Sequence, residues 1–296
     1  MVLSSRQVYA LWAMSRPSQL ALITLVYVLG ALIALQTASL DLASLLGGLG
    51  ALLPVAVSVH YVNEYADYET DQLTERTPFS GGSGALQRTG LHRRFAWRAA
   101  WPALALGVTA SILCVAHGLT LITLGLLGAI AILGWQYSVG PLALVYRGAG
   151  EVTNAVLGGL LLPVYGAATQ TGTIECRVVL AMVPFTVLVV VNLLATHWPD
   201  RAADTTVGKS TLATRWDPPR LRMAYAGLTA LAGTTLLMLT GSVLPPPVSA
   251  ASVPAFALAA WGFRGYTRQR SPFPAVAAMV ALAVGQAGAW LWLLTP

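Results

Sequence analysis

Charge is what this sequence has least of. Its 296 residues include 17 Lys and Arg and 11 Asp and Glu, 9% of the chain, where a soluble globular protein carries about 25%. That deficit excludes an ordinary soluble domain. Cysteine is nearly absent too. Cys114 and Cys176 are too few for a disulfide framework or a metal cluster, and they read as two small buried hydrophobes. The four histidines, His60, His92, His117 and His197, are scattered with no pair at metal-ligand spacing; only His197, three residues before Asp200, is placed for a substrate contact. No flavin, nicotinamide or haem motif is present. The first apolar segment follows "MVLSSRQVYALWAMSRP" without a small-residue cleavage site, so no cleavable signal is expected. The apolar/polar alternation of a membrane β-barrel is also missing.

What the sequence has instead is apolar length. It is 56% hydrophobic with a mean hydropathy of +0.68. Nine apolar stretches approach the roughly 20 residues that cross a bilayer as helix: 18–36, 44–63, 97–116, 119–138, 152–170, 178–198, 222–243, 247–264 and 274–294. The pattern predicts an all-α, polytopic membrane protein with nine transmembrane helices. The basic residues then orient it. All Lys and Arg except Arg177 fall in the N-terminal segment or in connections after even-numbered stretches. Positive loops stay inside, which predicts a cytoplasmic N-terminus, an external C-terminus and residence in the cell membrane. The net charge of +6 is thus a topology signal with some attraction to lipid headgroups; no nucleic-acid partner is expected.

The acids follow the same side, with only Asp41 and Glu175 opposite. Acids contribute little to topology, so their placement asks for another reason. They concentrate in two long loops, 64–95 and 199–220, read here as the cap of a single domain spanning 1–296. In "NEYADYETD" (63–71), Asn63, Asp67 and Asp71 are each four apart and, if the second helix continues, share one face. Like charges at that spacing repel, and desolvation at the bilayer edge makes this worse; something positive must compensate. The second loop, "THWPDRAADTTVGKSTLATR" (196–215), repeats the pattern in Asp200 and Asp204. Two such stripes facing each other form a tetra-carboxylate site suited to a hard cation such as Mg²⁺ bridging carboxylates to phosphates. Lys209, Arg76, Arg88 and Arg215 supply donors for phosphate oxygens, and "TPFSGGSG" (77–84) supplies glycines whose backbone N–H groups can approach an anion.

These motifs, "NEYADYETD", "RTPFSGGSG", "YSVGPLALVYRGAGE" (137–151) and "WPDRAADTTVGKSTL" (198–212), in this order, resemble the UbiA superfamily of membrane prenyltransferases across most of the chain. The third is most similar to the menaquinone-pathway naphthoate branch. The resemblance implies nine helices around a central cavity and two Asp-rich motifs, here Asp67, Asp71, Asp200 and Asp204, binding Mg²⁺ and an isoprenyl diphosphate, with Asn63 in the first motif. It also implies transfer of the isoprenyl group through an allylic cation to an aromatic or quinone-precursor acceptor. Lys209 and Arg76 would hold the diphosphate. Tyr137 and Tyr146 would shape or stabilise the cation region, with an interfacial belt as their alternative role. Arg16 would hold an acidic acceptor or serve as an interfacial anchor. Two departures stand out: Glu64 where many members have Asp, and Pro199 where others have Arg. Competing readings are a terpene cyclase on the same scaffold and a transporter, the latter disfavoured because no inverted repeat is evident. Membrane lipid is an expected partner; nothing in the sequence speaks to oligomeric state.

Overall fold

The computed structural model describes residues 3–77, 79–116 and 118–295; Pro78 of the glycine-rich stretch and His117 lie outside them. The regular structure among the described residues is helical, and every one of the nine apolar stretches lies on a helix. Seven helices are long and apolar enough to cross a membrane: Ser5–Ala34 (bent at Ser15–Arg16), Leu42–Ala66, Arg94–Val115, Leu121–Ser138, Gly150–Thr171, Cys176–His197 and Phe273–Trp292. The other two stretches form helices Pro218–Leu239 and Pro246–Gly265, of 22 and 20 residues. At 1.5 Å per residue they reach about 30 Å, but Arg220 and Arg222 in one, and Ser249, Ser252 and Arg264 in the other, dilute their apolar character.

Local signals set the helix ends. Asp41, Thr120 and Asp217 each accept a backbone N–H three residues on as N-caps, and proline opens the helices at Pro17, Pro218 and Pro246. Packing relies on small residues, which let backbones approach where lipid supplies no hydrophobic drive. A Cβ on Gly30 would fall 1.8 Å from the Pro163 carbonyl oxygen, and one on Gly166 would fall 2.0 Å from that of Tyr27. These two contacts lock Pro17–Ala34 against the second half of Gly150–Thr171. Beside them Tyr27 and Tyr165 stack with ring centroids 5.6 Å apart, fully buried with Phe185 and Trp290 in the main core.

The connections sort by end. At one end the Asp41 backbone N–H donates to Gln170 Oε1 at 2.9 Å, and the Thr120 hydroxyl donates to the Gly172 carbonyl. At the other end the two acidic loops meet.

Three local features depart from the sequence expectation. Residues 63–71 are not one continuous helix. The helix Leu42–Ala66 ends, Asp67 turns at φ −87°, ψ 4°, and a short helix Tyr68–Leu73 follows. The four-residue spacing survives because the N–H of Asp67 still donates to Asn63 O and that of Asp71 to Asp67 O, both at 2.8 Å. The first span begins earlier than its apolar stretch, with Ser5–Met14 as the helical part before the bend, started by a capping box between Ser4 and Gln7. Within Gly150–Thr171, residues Val156–Leu161 widen into a π turn, where Gly159 lets the Thr186 hydroxyl reach its carbonyl at 2.9 Å.

Candidate active site

The two Asp-rich segments are built alike. In each, a long helix stops just short of the first Asp and a single short turn carries the second: Tyr68–Leu73 with Asp71, Arg201–Thr206 with Asp204. In each the N–H of the second Asp donates to the carbonyl of the first at 2.8 Å. Lys209 joins them. Its Nζ lies 2.9 Å from Asp67 Oδ1 and 3.2 Å from Asp204 Oδ1. With Lys209 10% and Asp204 4% exposed, this bridge is screened little by water.

The glycine loop covers the cluster. A Cβ on Gly82 would fall 1.8 Å from Asp71 Oδ2, and one on Gly84 would overlap the Arg76 guanidinium; both glycines adopt positive φ, 62° and 60°, a region that also favours glycine. Arg76 donates back to the Gly82 carbonyl. The Gly81 amide faces Asp200 from the same loop.

Electrostatics follow from this crowding. Burial, then the neighbouring Asp67 and Glu64, push the Asp71 carboxyl up to about 7. Burial and Asp204 push Asp200 up to about 6. Asp204 is also raised by burial, against the opposing pull of Lys209. Lys209 itself is held above the ordinary lysine value: burial lowers it, but Asp67 and Asp204 together outweigh that. Asp200 Oδ1 is buried with no hydrogen-bond partner.

The site therefore has an excess of buried carboxylate, and an orphaned oxygen, that one ammonium does not satisfy. That donor set, all hard oxygen, fits a divalent cation of the Mg²⁺ type. Among the described residues, however, no three His, Cys, Asp or Glu side chains converge closely enough to hold a metal ion. In this arrangement the Lys209 ammonium stands between Asp67 and Asp204.

The remaining predicted residues surround this centre. Asn63 accepts a 2.6 Å hydrogen bond from Ser138, tying the first motif to the end of Leu121–Ser138. Tyr137 adjoins Ser138 and feels Asp67, Lys209 and Asp204. Tyr146 sits on a 3-10 turn Leu144–Arg147, near Lys209 and Asp67; that turn is pinned to the second loop by the Ser210 N–H donating to Val145 O at 3.1 Å. Arg16 does not stand free at the mouth of the first span. Its Nε and Nη2 both reach Glu64 Oε1, at 3.1 and 2.7 Å.

Two acids outside the predicted set prove central. Glu64 is buried and accepts four hydrogen bonds, two from Arg16 and two from Ser83, whose N–H and hydroxyl lie at 2.9 and 2.6 Å. It anchors the glycine loop. Glu151, whose position at a helix start suggests a proton acceptor, a partner for an arginine or simply a favourable helix N-terminus, is also buried. Its Oε1 accepts the Leu212 N–H at 2.6 Å and lies 3.3 Å from His197 Nδ1. It anchors the Lys209 loop. Glu64→Gln, which cannot accept Arg16 and Ser83 as a charged group does, is expected to speed amide hydrogen exchange in residues 79–84 by roughly tenfold or more, equivalent to about 1.4 kcal/mol. Unchanged exchange there would show that the loop holds without it.

Comparison with known proteins places this geometry. The model of the UbiA prenyltransferase family matches residues 23–283. Over 204 residues the chain is 26% identical to the 1,4-dihydroxy-2-naphthoate octaprenyltransferase of Bacillus subtilis (strain 168), a match covering 69% of this chain and 64% of that protein, so just under two thirds of the relative's length is spanned. Among solved structures, a UbiA homolog from Archaeoglobus fulgidus bound to GPP and Mg²⁺ aligns at a TM-score of 0.70 and 16% identity, over 97% of this chain and 100% of that one. The apo structure of a UbiA homolog from Aeropyrum pernix K1 aligns at 0.68 and 16%, over 89% and 95%. At these identities the structural likeness is one of fold.

Proposed function

The chain belongs to the UbiA prenyltransferase family, and from that premise we infer that it transfers an isoprenyl group from an isoprenyl diphosphate to an aromatic or quinone-precursor acceptor. The observation that carries this reading is the Lys209 bridge between Asp67 and Asp204, which joins two motifs 137 residues apart in sequence. The relative named as a naphthoate octaprenyltransferase favours an acceptor of the naphthoate type. We read the whole chain as one domain with nine spans around a central cavity, the N-terminus and the active site on the cytoplasmic side of the cell membrane. The sorting of basic residues supports that orientation.

The carboxylates of Asp67, Asp71, Asp200 and Asp204 would hold Mg²⁺. A divalent ion there supplies Lewis-acid stabilisation of the departing diphosphate. Lys209 and Arg76 donate to the diphosphate oxygens, and their charges match the negative charge that grows as the C–O bond lengthens. The Gly81–Gly84 backbone closes over the phosphates and keeps water from the allylic cation. Tyr137 and Tyr146, close to Lys209 and Asp67, would shape and stabilise the region of that cation. The acceptor ring attacks it, and loss of a ring proton restores aromaticity. Asn63 fixes the first motif through Ser138, and Arg16, held by Glu64, keeps a guanidinium close to Asp67 and Asp71.

Purified protein incubated with isoprenyl diphosphates of several lengths and a panel of naphthoate, benzoate and homogentisate acceptors should release pyrophosphate and form prenylated product only when Mg²⁺ is added. Hydrocarbon formed from the diphosphate alone would point to a cyclase, and no turnover with any pair would sink the reading. The metal requirement should depend on pH in one direction. Asp71 and Asp200 hold protons below about 7 and about 6, and those protons must leave before a cation binds. The Mg²⁺ concentration for half-maximal rate should therefore rise as pH falls from 8 to 6, by up to about tenfold per unit for each proton displaced. A flat or inverted dependence would contradict the assignment.

A further inference from the structure

On the outer flank of the glycine loop a second site opens, away from the aspartates. The cavity, about 640 Å³, lies between the first helix and the short helix Ala85–Thr89 and is lined by Ser5, Arg6, Tyr9, Gln87, Arg88 and Thr89. It is a shallow depression, broadly open at the protein surface, as a lipid headgroup site can be. Its lining holds two guanidinium groups, hydroxyls and a carboxamide, and no carboxylate. Among the described residues neither Arg6 nor Arg88 is paired with an acid, whereas nearby Arg16 and Arg93 pair with Glu64 and Glu69. Arg88 lies 5.8 Å over the Tyr9 ring and donates to the Ser83 carbonyl at 2.7 Å. Two unpaired guanidiniums beside hydroxyl donors match phosphate oxygens, since the planar fork of arginine suits bidentate recognition.

We propose that this cavity binds the phosphate of an anionic phospholipid headgroup. The neighbouring surface chooses a lipid over a soluble phosphate. Beside the depression the N-terminal segment exposes Leu3, Val8, Tyr9 and Trp12, the last 61% exposed, and past the bend at Ser15–Arg16 the chain continues into the long apolar helix that starts at Pro17. An apolar helix face at the polar end of a membrane bundle, with arginines at its edge, is the arrangement that takes acyl chain and headgroup together. The same arginine that faces the headgroup holds Ser83, and Ser83 is bonded to Glu64. An occupied cavity is thereby tied to the loop that covers the aspartates.

Native mass spectrometry of the full-length protein, exchanged into equimolar phosphatidylglycerol and phosphatidylcholine, reads this without any turnover assay. The wild type is expected to retain phosphatidylglycerol over phosphatidylcholine by about tenfold, and the Arg6→Gln/Arg88→Gln double variant to lose most of that preference. Equal retention of both lipids by the wild type, or an unchanged preference in the double variant, would overturn the proposal. If the double variant fails to fold, Arg6→Gln alone carries the test, because Arg6 is exposed on the first helix. A third arm adds inorganic phosphate. Stabilisation by phosphate that depends on Arg6, with both lipids retained equally, would assign the site to a soluble anion and reject the lipid. The readout is lipid retention, so it stands or falls separately from prenyl transfer.

Discussion

Replacing Asp67 or Asp200 by Ala is expected to lower turnover by about 100- to 1,000-fold or more while the protein stays folded. The two halves of that expectation have the same origin. In the proposed reaction the carboxylates are gathered where charge would develop, and gathering them is unfavourable in the resting protein. Asp71 is pushed up to about 7 by burial and by Asp67 and Glu64, so its ionised form is disfavoured on folding. For an acid raised in the folded state the sign is fixed: the folded state binds more protons than the unfolded one between about pH 4 and 7, so the ionised cluster costs stability as pH rises through that window. Removing one like charge relieves that cost. Asp71→Asn should accordingly raise the melting temperature in metal-free buffer at pH 8 by a few degrees and abolish turnover, a trade of activity for stability expected of strained functional groups. The check is a melting curve beside an activity assay on the same preparations. Activity near wild type in Asp67→Ala or Asp200→Ala would remove these residues from the catalytic role.

Lys209→Met should do the opposite to stability. Its ammonium is the positive charge between Asp67 and Asp204, and all three side chains are largely withdrawn from water. Deleting one partner of such a buried set leaves uncompensated charge and typically costs about 3–5 kcal/mol. In a chain of this size that is a fall in melting temperature on the order of 10 °C. The four carboxylates would hold a divalent cation, whose charge would replace the one removed, so adding Mg²⁺ should restore more of the lost melting temperature in the variant than it adds to the wild type. A variant as stable as wild type in chelator, or one indifferent to metal, would show that Lys209 is not the resident counter-charge of the site.

The sequence announces the scaffold through a physical signal that needs no partner: long apolar runs become helices wherever they sit. The Asp67–Asp71 and Asp200–Asp204 pairs are legible for a similar reason, since a four-residue spacing implies one face in isolation. The break at Asp67 is hidden because the hydrogen bonds continue across it and preserve that spacing. Glu64 and Glu151 are harder. Each is an acid of ordinary appearance whose meaning lies in partners 48 or 61 residues away, Arg16 for one and Leu212 for the other. Single-sequence spacing does not reach that far. Glu64 does leave a trace as a departure from the resembled motif, and its longer side chain spans from Arg16 to Ser83. The first helix, by contrast, carries a readable start in Ser4 and Gln7, the three-residue interval of a capping box, obscured only by the apolar run that follows.

The widened turn at Val156–Leu161 has its own implication for how the chain is phased. A π turn carries one residue more than regular helix, and each residue turns a helix by about 100°. Upstream of it stands Glu151, aimed at the second loop; downstream stand Pro163 and Gly166, keyed into the Pro17–Ala34 helix. The surplus residue works like a vernier between two gears: it lets the lower half face the chemistry and the upper half mesh with its neighbour, which a helix of uniform pitch would not permit at once.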